Sequence, residues 1–257
     1  DGISYGSEFN QLFYALAQEE IGKAAAKIVI DGHRPLTDAG GQLSSLHVDG
    51  VFRILCGNIY NGDKTGVTRL PPQEAIQVMV DFIGELNRVW PECKVGWTVN
   101  LPNWRYSKEF DWFDGTDYST KLGVLYFMDL LEGLVQALRE NELELGFLEV
   151  DYPGRYYLRN ERNGEKFRDL QAWCTRNKLP FYLVINNPPK NPQQFHDGVM
   201  DYIQRLHHDR VRPDLMLVQS WYKYPDTYVP ETEKYTMTYT VLQAAQKIKE
   251  LYGGPED

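Results

Sequence analysis

The chain has 257 residues, 42% hydrophobic and 25% charged, a balance that supports a sizeable core and argues against global disorder. Its formal net charge is -9 and no run of Lys or Arg interrupts the acidic background, so nucleic-acid phosphates are excluded as an expected partner. No stretch approaches the roughly 20 apolar residues that cross a bilayer as a helix, and an opening on Asp1-Gly2 implies that a signal peptide was either removed or never present.

In chain order, residues 8–26 read as a helix, and residues 27–33 as a first strand whose end carries Asp31, Gly32 and His33. Residues 51–58 read as the second strand, ending at Asn58 before a loop with Asn61-Gly62 and Gly66. Pro71-Pro72 opens a helix to Val89, with Ile76, Val80, Ile83 and Leu86 near helical spacing, and Pro91 ends it. Residues 94–100 form the third predicted strand, and the aromatic loop at 101–120 is long enough for a functional role. A helix over 121–139, with Leu125, Met128, Leu131, Leu134 and Leu138, leads to a fourth strand over 145–151. A helix at 164–176, strand five at 181–187, a helix at 193–207, strand six at 215–221 and a helix at 238–251 complete the series.

Strands separated by amphipathic helices predict parallel β-α-β units, because a parallel neighbour needs a crossover that can hold a helix. The expected fold is a single α/β domain over residues 1–257, a TIM-like (β/α)8 barrel in which six strands are identified. The other two lie in the long loops or the barrel is irregular, and a doubly wound sheet is the alternative. The cysteines, Cys56, Cys93 and Cys174, are too scattered for a disulfide framework or a paired zinc motif, and they leave the compartment open.

Ligands of such folds bind at the carboxyl ends of the strands. The residues predicted there are Asp31, His33, Asn58, Asn100, Glu149, Asp151, Asn186, Asn187, Gln219 and Trp221. Glu149 and Asp151 stand out, since residues two apart on a strand share a face, with backbones about 6.6 Å apart. Two carboxylates so placed repel, which makes one an acid and the other a base. The alternative is structural, with Asp151 capping a turn and Glu149 paired to Arg155 or another cation. His47, His196, His207 and His208 read as ordinary surface residues. Aromatic residues follow the strands: Trp104, Tyr106 and Trp112, then Tyr152, Tyr156 and Tyr157, then Trp221, Tyr222 and Tyr224. Flat rings beside carboxylates and amides suit the C–H faces and hydroxyls of sugars.

On Leu148-Glu-Val-Asp-Tyr-Pro153 and Gln219-Ser-Trp-Tyr222 the chain resembles the barrel glycoside hydrolases as a broad group. Glu149-Val-Asp151-Tyr-Pro153 is similar in spacing to the strand-four pattern of the family-18 chitinase-like enzymes. It departs from that pattern in placing Glu before Asp and in having Phe147 and Leu148 where an earlier Asp stands, so no family is assigned. The resemblance implies an acid/base carboxylate at Glu149 and an aromatic platform at Trp221.

The expected function is therefore hydrolysis of a poly- or oligosaccharide, outside the cell or in a periplasm. Glu149 donates a proton to the leaving oxygen, and Asp151 or Asp31 serves as the second carboxylate. A separation of about 5–5.5 Å implies retention and about 6.5–9.5 Å inversion. His33, Asn100, Asn186 and Gln219 bond sugar hydroxyls, Trp104, Tyr152, Trp221 and Tyr222 stack, and no cofactor or metal is needed. Three rivals stand beside it: a metal-dependent barrel enzyme using Asp31, His33, Glu149 and Asp151, a polysaccharide lyase with His33 or a Tyr as base, and a non-catalytic sugar-binding domain.

Overall fold

The computed structural model describes residues 3–8, 19–56, 70–110 and 126–253, with the backbone alone over 3–8. By their contacts the residues gather into two compact units, Asp1–Glu149 and Val150–Asp257.

The first unit contains β1 (Ile3–Glu8), α1 (Ile21–Asp38), β2 (Leu43–Asp49), α2 (Val51–Leu55), α3 (Pro72–Val89), β3 (Lys94–Asn100), α4 (Phe127–Glu140) and the start of β4 (Phe147–Asp151). Its strands lie side by side in chain order, β1 parallel to β2 and β2 parallel to β3. α3 begins at a proline pair, which costs no hydrogen bond in a first turn, and carries Glu74 at its start and Arg88 at its end, where each complements the helix dipole. It buries Ile76, Met79, Val80, Phe82, Ile83 and Leu86, all four positions read as helical from the sequence among them.

Two of the sequence expectations fail here. Residues 27–33, predicted as the first strand, belong to α1. The β-branched run Ile28-Val-Ile30 imitates a strand, but the residues α1 buries are Gly22, Ala25, Ala26 and Val29, spaced as one helical stripe. α1 lies so close to α3 that a Cβ added at Gly22 would stand 2.2 Å from the Val78 carbonyl oxygen. The second strand is also displaced: Val51–Leu55 is the short helix α2, and the strand is Leu43–Asp49, whose alternate residues Leu46 and Val48 are buried. Gly50, at φ +72°, turns the chain between the two. Asn58, Asn61, Gly62, Gly66 and Trp112, and the predicted helical residues 9–18 and 121–125, lie outside the described residues.

The register pairs His47 of β2 with Gly96 of β3 and Asp49 with Thr98. Gly96 is the place where this packing is least forgiving. A Cβ there would come within 2.1 Å of the Phe147 ring, and that ring lies against the His47 imidazole, centroids 4.5 Å apart. Gly96→Ala is accordingly expected to force Phe147 aside and destabilise the fold by about 1–3 kcal/mol, the usual cost of overpacking. Urea unfolding monitored by tryptophan fluorescence reads it as a lower midpoint at unchanged slope.

The second unit contains the end of β4, α5 (Gly154–Tyr157), α6 (Asn163–Asn177), β5 (Phe181–Ile185), α7 (Pro192–His208), β6 (Leu215–Val218) and α8 (Met237–Tyr252), with β5 and β6 parallel. Asn191 and Thr236 cap α7 and α8 by accepting from the backbone N–H of Gln194 and Tyr239. Its core is aromatic: Tyr152, Tyr157, Phe167, Phe181, Phe195 and Tyr202 are all buried. Their polar ends are provided for in part. The Tyr157 hydroxyl donates to Asp209 Oδ2 at 2.9 Å, Arg205 Nε donates to the same oxygen at 2.9 Å, and the Tyr152 hydroxyl donates to Asn163 Oδ1 at 3.3 Å.

The class is α/β, as expected, with parallel strands that succeed one another in chain order in each unit. Barrel strands run in that way, whereas a doubly wound sheet reverses its order. Six strands occur among the described residues, so the full eight-stranded barrel is not what the structure shows. Among those residues no helix is long and apolar enough to cross a membrane.

Candidate functional site

In the first unit, polar side chains meet on one face of the sheet. Glu149 is 5% exposed, yet both of its carboxyl oxygens are held. His47 Nδ1 lies 2.8 Å from Oε2, and the Thr98 hydroxyl donates to Oε1 at 2.9 Å. A carboxylate can only accept, so the imidazole donates from Nδ1, and this hydrogen bond selects the ring's tautomer. The remaining ring nitrogen, Nε2, stands 3.4 Å from Ser45 Oγ. Three strands thus contribute one residue each to fix a single carboxyl: His47 from β2, Thr98 from β3, Glu149 from β4. A buried acid in an apolar strand is costly unless so partnered, and of the partners open from sequence, Arg155 or another basic group, the structure gives His47.

Ser45, His47 and Glu149 are linked hydroxyl to imidazole to carboxylate, the same chemical sequence of groups as a hydrolytic triad. Ser45 is, however, two residues before His47 on β2, on the side away from the strand's carboxyl end, and its contact to the ring is long. Its position fits support of the imidazole and not attack on a ligand. Thr98 also borders a small cavity of about 10 Å³, room for about one water molecule, lined by Asp49, Arg53, Asn100 and Trp104 among others. Asn100, expected to bind substrate, is half-buried on that lining.

Several expected site residues are placed elsewhere. Asp31 is exposed on α1 and ion-paired to Lys27 and Arg34, with the Lys27 hydrogen bond first among the causes that hold its carboxyl below the usual range. It closes no strand, and its expected part as second carboxylate is withdrawn. His33, two residues on in the same helix, sits with Nδ1 2.8 Å from the Val29 carbonyl oxygen and edge-on to Trp90, so it too leaves the strand ends. Trp104 is 5% exposed and packs edge-to-face on Trp97, and Tyr152 is fully buried against Tyr157 and Phe167. Neither ring offers a face for a sugar. The rings that follow the strands were legible as a group, but most of them fill the core.

In the second unit, Asn186 Nδ2 donates to Asp151 Oδ1 at 2.6 Å. Asn186 is wholly buried, and its Oδ1 has no hydrogen-bond partner among the described residues. Tyr222 is half-buried. Burial, first, pushes its hydroxyl pKa up, Arg155 pulls it down, and Asp151 and Tyr156 push it up again, so these groups stand close enough to act on one phenol. Trp221 is 56% exposed and Gln219 half-buried, continuing the ladder of β6 through its N–H to the Ile185 carbonyl. The unit thus keeps Asp151, Asn186, Gln219, Trp221 and Tyr222 near the ends of its strands.

His47 and Thr98 are the residues that sequence reading missed. The available signal was the alternation in Leu43-Ser-Ser-Leu-His-Val-Asp49, which sets His47 on the face opposite Leu46 and Val48. Among the described residues no group of three or more His, Cys, Asp or Glu side chains is gathered as a metal would require. The four residues of the metal-dependent rival do not converge, because Asp31 and His33 are helical. Burial pushes the thiols of Cys93, Cys56 and Cys174 up to about 11, 12 and 12, far from the thiolate a nucleophile needs.

No family model matches the chain, and no curated protein matches it. Among solved structures, it is similar to the crystal structure of a glucosidase from Croceicoccus marinus, with a TM-score of 0.47 and 11% sequence identity. The match covers 79% of this chain and 38% of that one, so the chain spans well under half the length of that glucosidase.

Proposed function

We propose that the chain is a hydrolase of poly- or oligosaccharides in which Glu149 protonates the leaving glycosidic oxygen. The observation that supports this is a nearly buried carboxyl gripped at both oxygens by side chains from two other strands, His47 and Thr98. Such a grip keeps an acid in one orientation, which is what proton delivery to a particular substrate atom requires. The Thr98 hydroxyl can accept as well as donate, so it remains a partner to Oε1 whether that oxygen carries the proton or has delivered it.

Asp151 is proposed as the second carboxylate, a part assigned to it from the sequence and compatible with its hydrogen bond from Asn186. That bond occupies one carboxylate oxygen and orients the group, as either a nucleophile or a general base needs. A glycan substrate carries with it an extracellular or periplasmic location, as part of the same proposal. The test is release of reducing ends from a panel of polysaccharides by the wild type and by single variants. Asp151→Asn is expected to lower kcat on a confirmed substrate about 100-fold or more while leaving the melting temperature within a few degrees. Full activity in that variant would remove Asp151 from the chemistry.

A further inference from the structure

The second unit holds a feature that acid/base chemistry does not use. Arg155 and Arg159 lie one helical turn apart, both exposed, on the segment that follows β4 at its carboxyl end. Both guanidinium groups lie over the same ring, that of Tyr156, at 4.6 Å and 5.8 Å from its centroid. Arg155 is further fixed by donating from Nη2 to the Tyr156 hydroxyl at 2.8 Å. The ring is 9% exposed, so it forms a floor on which two cations are displayed.

Neither cation has a carboxylate partner among the described residues. Of the unit's six other arginines four are held: Arg162 pairs with Glu165, Arg205 with Asp209, and Arg168 and Arg212 donate to the carbonyls of Asp209 and Tyr252. In a chain of net charge -9, these two arginines are set apart by sharing one ring, which gathers positive charge on a single segment. Like charges side by side repel, and the face of Tyr156 offsets part of that cost. The guanidinium plane presents paired donors that match a carboxylate or sulfate in a bidentate fork. The carboxylate of Asp151 acts on the same Tyr222 hydroxyl as Arg155, so an anionic ligand reaching Asp151 needs a counter-charge there.

We infer that Arg155 and Arg159, on the Tyr156 ring, form a subsite for an anionic group of the glycan, a uronate carboxylate or a sulfate ester. This rests on the glycan-hydrolase reading and narrows its substrate class to acidic polysaccharides. Trp221, more than half exposed in the loop that carries Tyr222, offers a flat surface in the same unit.

The experiment is calorimetric binding of four acidic glycans, each against its neutralised counterpart. Oligogalacturonate, alginate oligomers and hyaluronan oligosaccharides are compared with their carboxyl-reduced forms, carrageenan oligosaccharides with the desulfated form, and cellohexaose serves as neutral control. At least one acidic glycan is expected to bind about tenfold or more tightly than its counterpart, with affinity falling as salt is raised. The arm in which this occurs tells uronate from sulfate. Arg155→Gln and Arg159→Gln should each abolish the preference, Arg155→Lys should keep part of it, and melting temperatures should stay unchanged because both side chains are exposed. Equal binding of acidic and neutralised forms, unaffected by Arg155→Gln, overturns the subsite while leaving the hydrolase reading to stand on Glu149→Gln. Failure of every glycan, acidic or neutral, to bind overturns both.

Discussion

Glu149→Gln is expected to lower kcat on a confirmed glycan substrate by about 10²–10⁴-fold, the span that a positioned general acid usually contributes. Glutamine has the shape of glutamate and can meet the same neighbours. Its carbonyl oxygen accepts from His47 Nδ1, and its amide donates to the Thr98 hydroxyl, which reverses its own role. What it lacks is a proton to give to a leaving alkoxide. The fold should therefore survive with a melting temperature within a few degrees of wild type, and KM should change little. A variant that folds normally and turns over at the wild-type rate would end Glu149's part in the chemistry. A variant that still binds the glycan, in a protein whose wild type never turns it over, would identify a sugar-binding domain instead.

His47→Ala should act on stability first. Removing the imidazole leaves Glu149 buried with Thr98 as its remaining named partner, and it opens a void where Phe147 rests on the ring. Breaking a buried, hydrogen-bonded pair from one side costs roughly 3–5 kcal/mol, because a carboxylate is stranded away from water. In a chain of this length that corresponds to a fall of roughly 10 °C in melting temperature. The pairwise character can be checked by a double-mutant cycle with Glu149→Gln. With an uncharged amide in place of the carboxylate, the added cost of losing His47 should shrink by at least about 1 kcal/mol. Costs that simply add would mean that His47 stabilises the unit by packing alone. His47→Asn, whose amide can donate from nearly the same place as Nδ1, should recover part of both stability and turnover.

The Gly96, His47 and Glu149 predictions probe one line of contacts, from the close approach of β3 to the Phe147 ring, from that ring to the imidazole, and from the imidazole to the acid. Displacement at Gly96 should therefore lower activity as well as stability, although Gly96 is not among the residues expected to meet substrate.

Much of the fold could be read from local pattern. The third strand, at Lys94–Asn100, and the helix at Pro72–Val89 are found within a residue of their expected bounds, since each is strongly periodic and is framed by proline or by charged ends. The helices after strands four, five and six and the polar finish of strands four and five were legible for the same reason. The opening part was misread where two local signals compete. Ile28-Val-Ile30 reads as β by composition, while the small residues Gly22, Ala25 and Ala26 that let α1 lie against α3 carry little hydrophobic weight. β2 escaped notice because it spends its inward positions on Ser45, His47 and Asp49, residues usual in loops.

What the sequence by itself determined is the class of fold, parallel strands alternating with helices, and the acid at position 149 as the most unusual residue of its strand. Both follow from near-neighbour chemistry, where spacing along the chain is spacing in space. Which partners that acid has was decided by tertiary structure alone: His47 and Thr98 stand 102 and 51 residues from Glu149 and meet it only through strand order and register. The same holds for the aromatic residues. Composition counts rings, but whether a ring such as Tyr152 fills a core or, like Trp221, faces water depends on which helices cover it, and that is a property of the packed chain.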